Sequence, residues 1–168
     1  MDDKFYLEID PLDKEEELLT VFKEYNPKSY SRTEEGVEDL QEDDAKYIVF
    51  TNPYYDCPIV IDLGDMEEFT VYFAENHAHY SACQGYYEYM LETLKKLFSN
   101  ALCAGSLFDT NGKWFGSCWV EKEDLDKDIE EIFHFVFKEK ELERELTQNG
   151  YEAEFKFWNP IDNKKIQK

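Results

Sequence analysis

The sequence is short of positive charge and of glycine and has no long apolar run, and each shortage removes a class of function. Lys and Arg number 18 against 39 Asp and Glu, a formal net charge of −21 at pH 7. Nucleic-acid backbones are bound by neutralising phosphates with Lys and Arg, and the one basic run here is the tail Lys164-Lys165-Ile-Gln-Lys168. Bare nucleic acid and an anionic membrane surface are therefore disfavoured as ligands. The 7 glycines never fall into G-x-G-x-x-G or G-x-x-x-x-G-K-[ST], because Gly64-Asp65 and Gly105-Ser106 lack that context, so no phosphate-cradling loop is signalled. No apolar stretch approaches the ~18 residues that span a bilayer. The start, Met-Asp-Asp-Lys, has neither the basic nor the apolar region of a signal peptide, and the expectation is a cytoplasmic protein. Cys57, Cys83, Cys103 and Cys118 show no C-x-x-C spacing, which excludes a zinc ribbon or redox dithiol and predicts reduced, mostly buried thiols.

Aromatic residues are abundant instead, 17% of the chain with 13 Phe and 12 Tyr, which argues against disorder and for an aromatic core. At 168 residues one domain is the expectation. Its centre is Phe69 to Phe98. Phe69, Val71 and Phe73 share one face of a strand over Phe69 to Ala74, and Tyr87, Met90, Leu91, Leu94, Leu97 and Phe98 recur at helical spacing, so the two faces are expected to seal each other.

Before this centre, Phe5 to Ile9 reads as a short strand. Asp10 then caps a helix with Pro11 at its first position, its stripe Leu18, Leu19, Phe22 and Tyr25, its end Asn26-Pro27. Lys28 to Ala45 is polar and acidic and reads as a mobile acidic loop or a short helix. The loop is favoured, because Val37 and Leu40 alone give little area to bury. Lys46 to Phe50 and Pro58 to Asp62 read as strands.

After the centre, Ala101 to Asp109 and Lys113 to Val120 form a hairpin around Asn111-Gly112. A two-residue turn would pair Thr110 with Lys113, Phe108 with Phe115 and Gly105 with Cys118. A long amphipathic helix is predicted from Glu123 to about Lys138, with Leu125, Ile129, Ile132, Phe133, Val136 and Phe137 on one stripe. Phe135, Leu142 and Leu146 are out of phase with it, predicting a bend near Lys138 to Lys140 or a second apolar face, and Gly150 stops the helix. Tyr151 to Trp158 alternates as a last strand, followed by a fraying tail over 161–168. There is no internal repeat, and the order of elements predicts an α+β fold, a mostly antiparallel sheet with about three amphipathic helices packed on it.

Candidate chemistry centres on His77 and His79, two imidazoles on one face of a strand with Glu75 on that face two residues earlier. Two ligands do not make a metal site, so a metal-binding protein or small enzyme built on this pair, with Cys83 as nucleophile, is the alternative reading. Ser81 and Gln84 fit a capping box that would place Cys83 in a first helical turn. A structural or assembly subunit, marked by a large apolar patch, is the third reading. His134 reads as a surface residue. Carboxylates are too abundant for spacing to single out an acid and a base.

The run Phe73-Ala-Glu-Asn-His77-Ala-His79-Tyr80, the later Gly112-Lys-Trp114-Phe-Gly116-Ser117 and the closing Phe157-Trp158 resemble immunity proteins of bacterial polymorphic toxin systems. In that family the first run reads Phe-Gly-x-x-His-Trp-His-Phe, so Ala74 and Ala78 stand here at the Gly and Trp positions. The resemblance implies a small, acidic, cytoplasmic α+β protein that blocks a toxin by binding and uses no catalytic residues or cofactor, with His77, His79 and Trp114 as its marked positions. Together with the charge it leads to a non-enzymatic binding protein as the expected function. The partner is a basic protein such as a nuclease toxin domain, met by acids of the first helix, by Glu34, Glu35, Asp39, Asp43 and Asp44, and by the start of the helix after the hairpin. Trp114, Phe135 and Tyr30 are the candidate aromatic anchors.

Overall fold

A computed structural model of the chain describes residues 3–31 and 46–168. The acidic segment read as a loop or short helix lies outside the described residues from position 32 onward, and with it Glu34, Glu35, Asp39, Asp43 and Asp44. Among the described residues nine strands form two antiparallel sheets, and with the helices they make the α+β fold that the order of elements predicts. The chain divides into two compact units, 1–73 with 77–93 and 74–76 with 94–168.

In the first unit the strands β1 (Lys28–Ser31), β2 (Lys46–Phe50), β3 (Ile59–Asp62), β4 (Glu68–Phe73) and β5 (Asn76–Ser81) lie side by side in chain order. Strand β1 is cut from the segment read as a loop. Its only aromatic side chain is Tyr30, and it is held by main-chain pairing to β2, with Ser29 opposite Ile48 and Tyr30 opposite Tyr47. One face of the sheet is apolar at period two: Ile48, Phe50, Ile59, Ile61, Phe69 and Val71 are fully buried. Each such side chain stabilises the fold by roughly 1.5–3 kcal/mol before entropy is counted.

The expected first helix is broken into a 3-10 turn at Pro11–Lys14, helix α1 (Glu15–Val21) and a second 3-10 turn at Lys23–Tyr25. Asp10 caps its start as expected, accepting the Leu12 N–H at 3.0 Å, and Leu18 and Phe22 are buried. Asn26, at φ 50°, closes it in the left-handed region that Asn tolerates. Helix α2 (Gln84–Phe98) buries Tyr87, Met90, Leu94, Leu97 and Phe98, as its spacing predicts. The Tyr87 ring meets Phe69 of β4 at 5.4 Å, the expected seal between strand and helix.

The start of α2 differs from the expected capping box. Its first N–H groups go to main-chain carbonyls of the N-terminal segment, Gln84 to Leu7 and Gly85 to Phe5, both at 2.9 Å, while the Gln84 amide donates to Glu88. These are donors that an α-helix leaves unpaired at its N-terminus, and here another stretch of backbone satisfies them. Phe5 to Ile9 is consequently not a ladder strand. It makes one bridge, Glu8 to Cys83, and otherwise runs as turns whose carbonyls serve the helix. Gly85 is required for this, since a Cβ there would sit 2.1 Å from the Phe5 ring.

In the second unit β6 (Leu102–Asp109), β7 (Trp114–Glu121), β8 (Tyr151–Lys156) and β9 (Lys164–Gln167) pair in the order β7-β6-β8-β9. Gly105 faces Cys118 as expected, but Phe108 faces Trp114 and not Phe115. The turn has three residues. The Asp109 carboxylate accepts the Asn111 and Lys113 N–H groups, and Gly112 takes φ 83°, so one residue is lost at the tip. A bulge at Phe115 restores the count, which is why the far register survives.

The long helix expected from Glu123 is three short pieces, α3 (Ile129–Ile132), α4 (His134–Phe137) and α5 (Lys140–Asn149), after a 3-10 turn at Lys122–Asp124. The break at Glu139, extended at ψ 105°, falls where the out-of-phase stripe predicts a bend. Ile129, Phe133, Val136 and Leu146 are buried with Leu107, Ala153 and Phe155 in one core, an arrangement a single straight helix could not present. Gly150 stops α5, and Tyr151, Ala153 and Phe155 alternate inward along β8.

The expected fraying tail is a correction. Residues 164–167 form β9, with Ala153 opposite Ile166, and Lys168 exchanges both main-chain hydrogen bonds with Tyr151. Removal of 161–168 is expected to lower the unfolding free energy by about 2 kcal/mol, the loss of one apolar side chain from the core. Urea unfolding checks this; a frayed tail would leave the midpoint unchanged.

All four cysteines are free thiols, three of them buried. Burial, with Cys118 as the smaller cause, pushes the Cys103 thiol up to about 12 from an ordinary 9.0, and burial pushes Cys118 up to about 11. The Tyr151 phenol moves the same way, through burial and then its hydrogen bond to Glu130. Groups whose folded pKa is raised contribute stability that is complete below the unfolded value and is lost as pH rises through the folded one. The urea midpoint is therefore expected to hold at neutral pH and fall between pH 9 and about 12, less steeply in a Cys103→Ala, Cys118→Ala variant.

Candidate functional site

His77 and His79 lie on β5, whose residues alternate between buried Asn76 and Tyr80 and exposed His77, His79 and Ser81. The two imidazoles share one face, as period two requires, with ring centroids 5.1 Å apart. Across the β4–β5 hairpin the His77 ring packs on Tyr72 at 5.6 Å, and His79 Nδ1 lies 2.7 Å from the Glu68 carboxylate and 3.2 Å from the Thr70 hydroxyl. A carboxylate beside Nδ1 orients the ring and leaves Nε2 to the outside.

Glu75 does not join this face. It stands in the turn that Ala74 makes possible at φ 53°, and its carboxylate pairs with Lys156 at 3.0 Å. Cys83 is buried, and among the described residues no contact links it to either histidine. Cys83 is thus not brought together with a histidine as nucleophile and base. Among the described residues no three His, Cys, Asp or Glu side chains converge as a metal-holding group.

Of the three aromatic anchors, Trp114 in the second unit is 52% exposed, its indole N–H satisfied by Ser117 at 2.8 Å. Phe135 is half-buried over Gly116, and Tyr30 stacks on Tyr47 at 6.0 Å. His134 is exposed, as expected.

Much of the scarce positive charge is consumed internally. Lys46 pairs with Glu15 at 3.0 Å, Lys96 with Glu121 at 2.6 Å, Lys113 with Glu145 at 2.8 Å, Lys122 with Asp162 at 2.9 Å and Lys165 with Glu152 at 2.8 Å. The Ser29 hydroxyl first, and Lys46 with it, holds the Glu15 carboxyl below its usual range, against the opposing effect of burial. Glu16 of α1 and Asp126 and Asp128 ahead of α3 remain exposed.

A second surface, unsuspected from the sequence, lies in the first unit where the N-terminal segment crosses the start of α2. A groove of about 1000 Å³ is lined by buried Cys83 and by exposed Tyr6, Met66, Tyr86, Glu8, Asp10 and Glu67. Tyr6 is 66%, Leu7 59% and Met66 78% exposed. No periodicity marks these residues, because they come from three separate segments.

Compared with known proteins, the chain matches no family model, no curated protein and no solved structure. Among the described residues no helix is long and apolar enough to cross a membrane.

Because both imidazoles are exposed, a His77→Ala, His79→Ala variant is expected to change stability by less than about 1 kcal/mol. Elemental analysis of protein purified without an affinity tag is expected to find no stoichiometric transition metal. Metal that is present and then lost in the double variant would move the function to the histidine pair.

Proposed function

We propose that the protein is a non-enzymatic acidic binding protein that engages a basic protein surface, and that it serves as an immunity protein neutralising a bacterial toxin domain. The observation that carries the reading is the state of its charge. Carboxylates exceed cations by 21, lysines on both sheets are already bound to carboxylates of the same chain, and among the described residues acids such as Glu16, Asp126 and Asp128 are exposed. Such a surface repels anionic ligands and its own copies, and it attracts a positive one. The positions on which the resemblance to immunity proteins is read fall on two hairpins, β4–β5 with His77 and His79 and β6–β7 with Trp114. All three are exposed side chains whose replacement would leave the core intact.

A nuclease domain is a fitting partner, because its substrate groove carries positive charge to hold phosphates and an acidic protein can fill it. Steering by opposite charge raises association from about 10⁵–10⁶ toward 10⁸–10⁹ M⁻¹s⁻¹, and speed matters to an inhibitor of a lethal enzyme. The test is growth and kinetics with a basic toxin domain encoded beside this gene. Co-expression is expected to restore growth. The association rate is expected to fall steeply as the screening length shrinks from about 10 Å at 0.1 M to about 3 Å at 1 M salt. An association rate indifferent to salt, or an acidic partner, would defeat the reading.

A further inference from the structure

We infer that the groove between the N-terminal segment and the start of α2 is a docking site for a basic, apolar-bearing segment of a protein partner; this rests on the acidic-binding reading and places its contact surface. The groove joins two features that seldom coincide on a protein serving only itself. The first is exposed apolar area: Tyr6, Met66 and Tyr86, all lining the groove, are 66%, 78% and 42% exposed. Tyrosine and methionine are side chains enriched at protein interfaces, and a patch of this kind marks a contact surface. The second is charge of one sign. Glu8, Asp10 and Glu67 line the groove with no Lys, Arg or His among its described lining residues, and among the described residues no ion pair engages Glu8 or Glu67.

The charge decides the occupant. A second copy would bring the same carboxylates against Glu8, Asp10 and Glu67, with each chain at −21, so self-association through this face is opposed. An acidic peptide is opposed for the same reason. A segment alternating Arg or Lys with large apolar side chains fits both features, with apolar groups over Tyr6, Met66 and Tyr86 and cations at Glu8, Asp10 and Glu67. The groove is also firmly built, since the main-chain bonds from the Gln84 N–H to the Leu7 carbonyl and from the Gly85 N–H to the Phe5 carbonyl join its segments without using the exposed side chains.

Methionine gives a direct readout. Met66 lines the groove and is 78% exposed, whereas Met90 is fully buried in the same unit, so the ¹³C-methyl spectrum carries a reporter and a folding control. A peptide alternating arginine with leucine is expected to shift the Met66 methyl and leave that of Met90 in place. An arginine–glycine peptide is expected to bind at least about tenfold more weakly, and a glutamate–leucine peptide not at all. Tyr6→Ala and Glu8→Lys with Glu67→Lys are each expected to weaken the arginine–leucine peptide about tenfold or more, with an unchanged Met90 signal showing that the variants fold.

Equal binding by the Tyr6→Ala variant, or equal binding of the arginine–glycine peptide, would overturn the groove and leave the acidic-binding reading standing. Equal binding of the glutamate–leucine peptide would overturn the basic occupant. A Met66 shift that grows with protein concentration alone would replace the partner by a second copy. Failure of both arginine peptides to bind anywhere would overturn the underlying reading itself.

Discussion

The contact between the Tyr87 ring and Phe69, both almost wholly buried, sets how the first unit is put together. It seats the first turns of α2 on β4, and the helix start is then left with N–H groups that its own residues cannot satisfy. The N-terminal segment supplies the carbonyls. For the Phe5 ring to lie close enough, position 85 must lack a side chain, and glycine is what stands there. The groove bearing Tyr6, Met66 and Tyr86 exists because these bonds occupy the backbone of that segment and leave its side chains turned outward.

Charge governs the outside as aromatic burial governs the inside. Exposed ion pairs contribute about 0–1 kcal/mol each, so the pairs of Lys46, Lys96 and Lys113 do not hold the fold. What they do is discharge carboxylates locally where elements meet, Lys46 of β2 against Glu15 of α1 and Lys168 at the chain's end against Glu130 of α3. With the lysines so engaged, the remaining acids give the surface its sign. The binding role we propose rests on this distribution of charge.

Much of the core was legible because buried side chains obey simple periods. The stripe of α2, the alternation of β2, β4 and β8 and the bend before α5 all follow from spacing. The candidate site was legible only in part. The shared face of His77 and His79 follows from period two, but their neighbours Tyr72, Thr70 and Glu68 depend on hairpin pairing, and the turn at Ala74 took Glu75 away from them. The groove was not legible at all, since exposed residues carry no periodic signature and these come from three stretches of chain.

The sequence by itself determined the sign of the surface, the aromatic character of the interior, the α+β class and the residues that point inward, because charge and burial are properties of side chains and their spacing. Tertiary structure decided the rest. It made a strand of the tail, because β8 offered an unpaired edge and Ile166 an apolar side chain to bury on the core. It broke one expected helix into three, because the stripes of Ile129 to Val136 and of Leu142 to Leu146 reach the same core only if the axis turns between them. It turned Phe5 to Ile9 from a strand into a helix cap, because hydrogen-bond partners are assigned by what lies nearby in space, which local sequence does not encode.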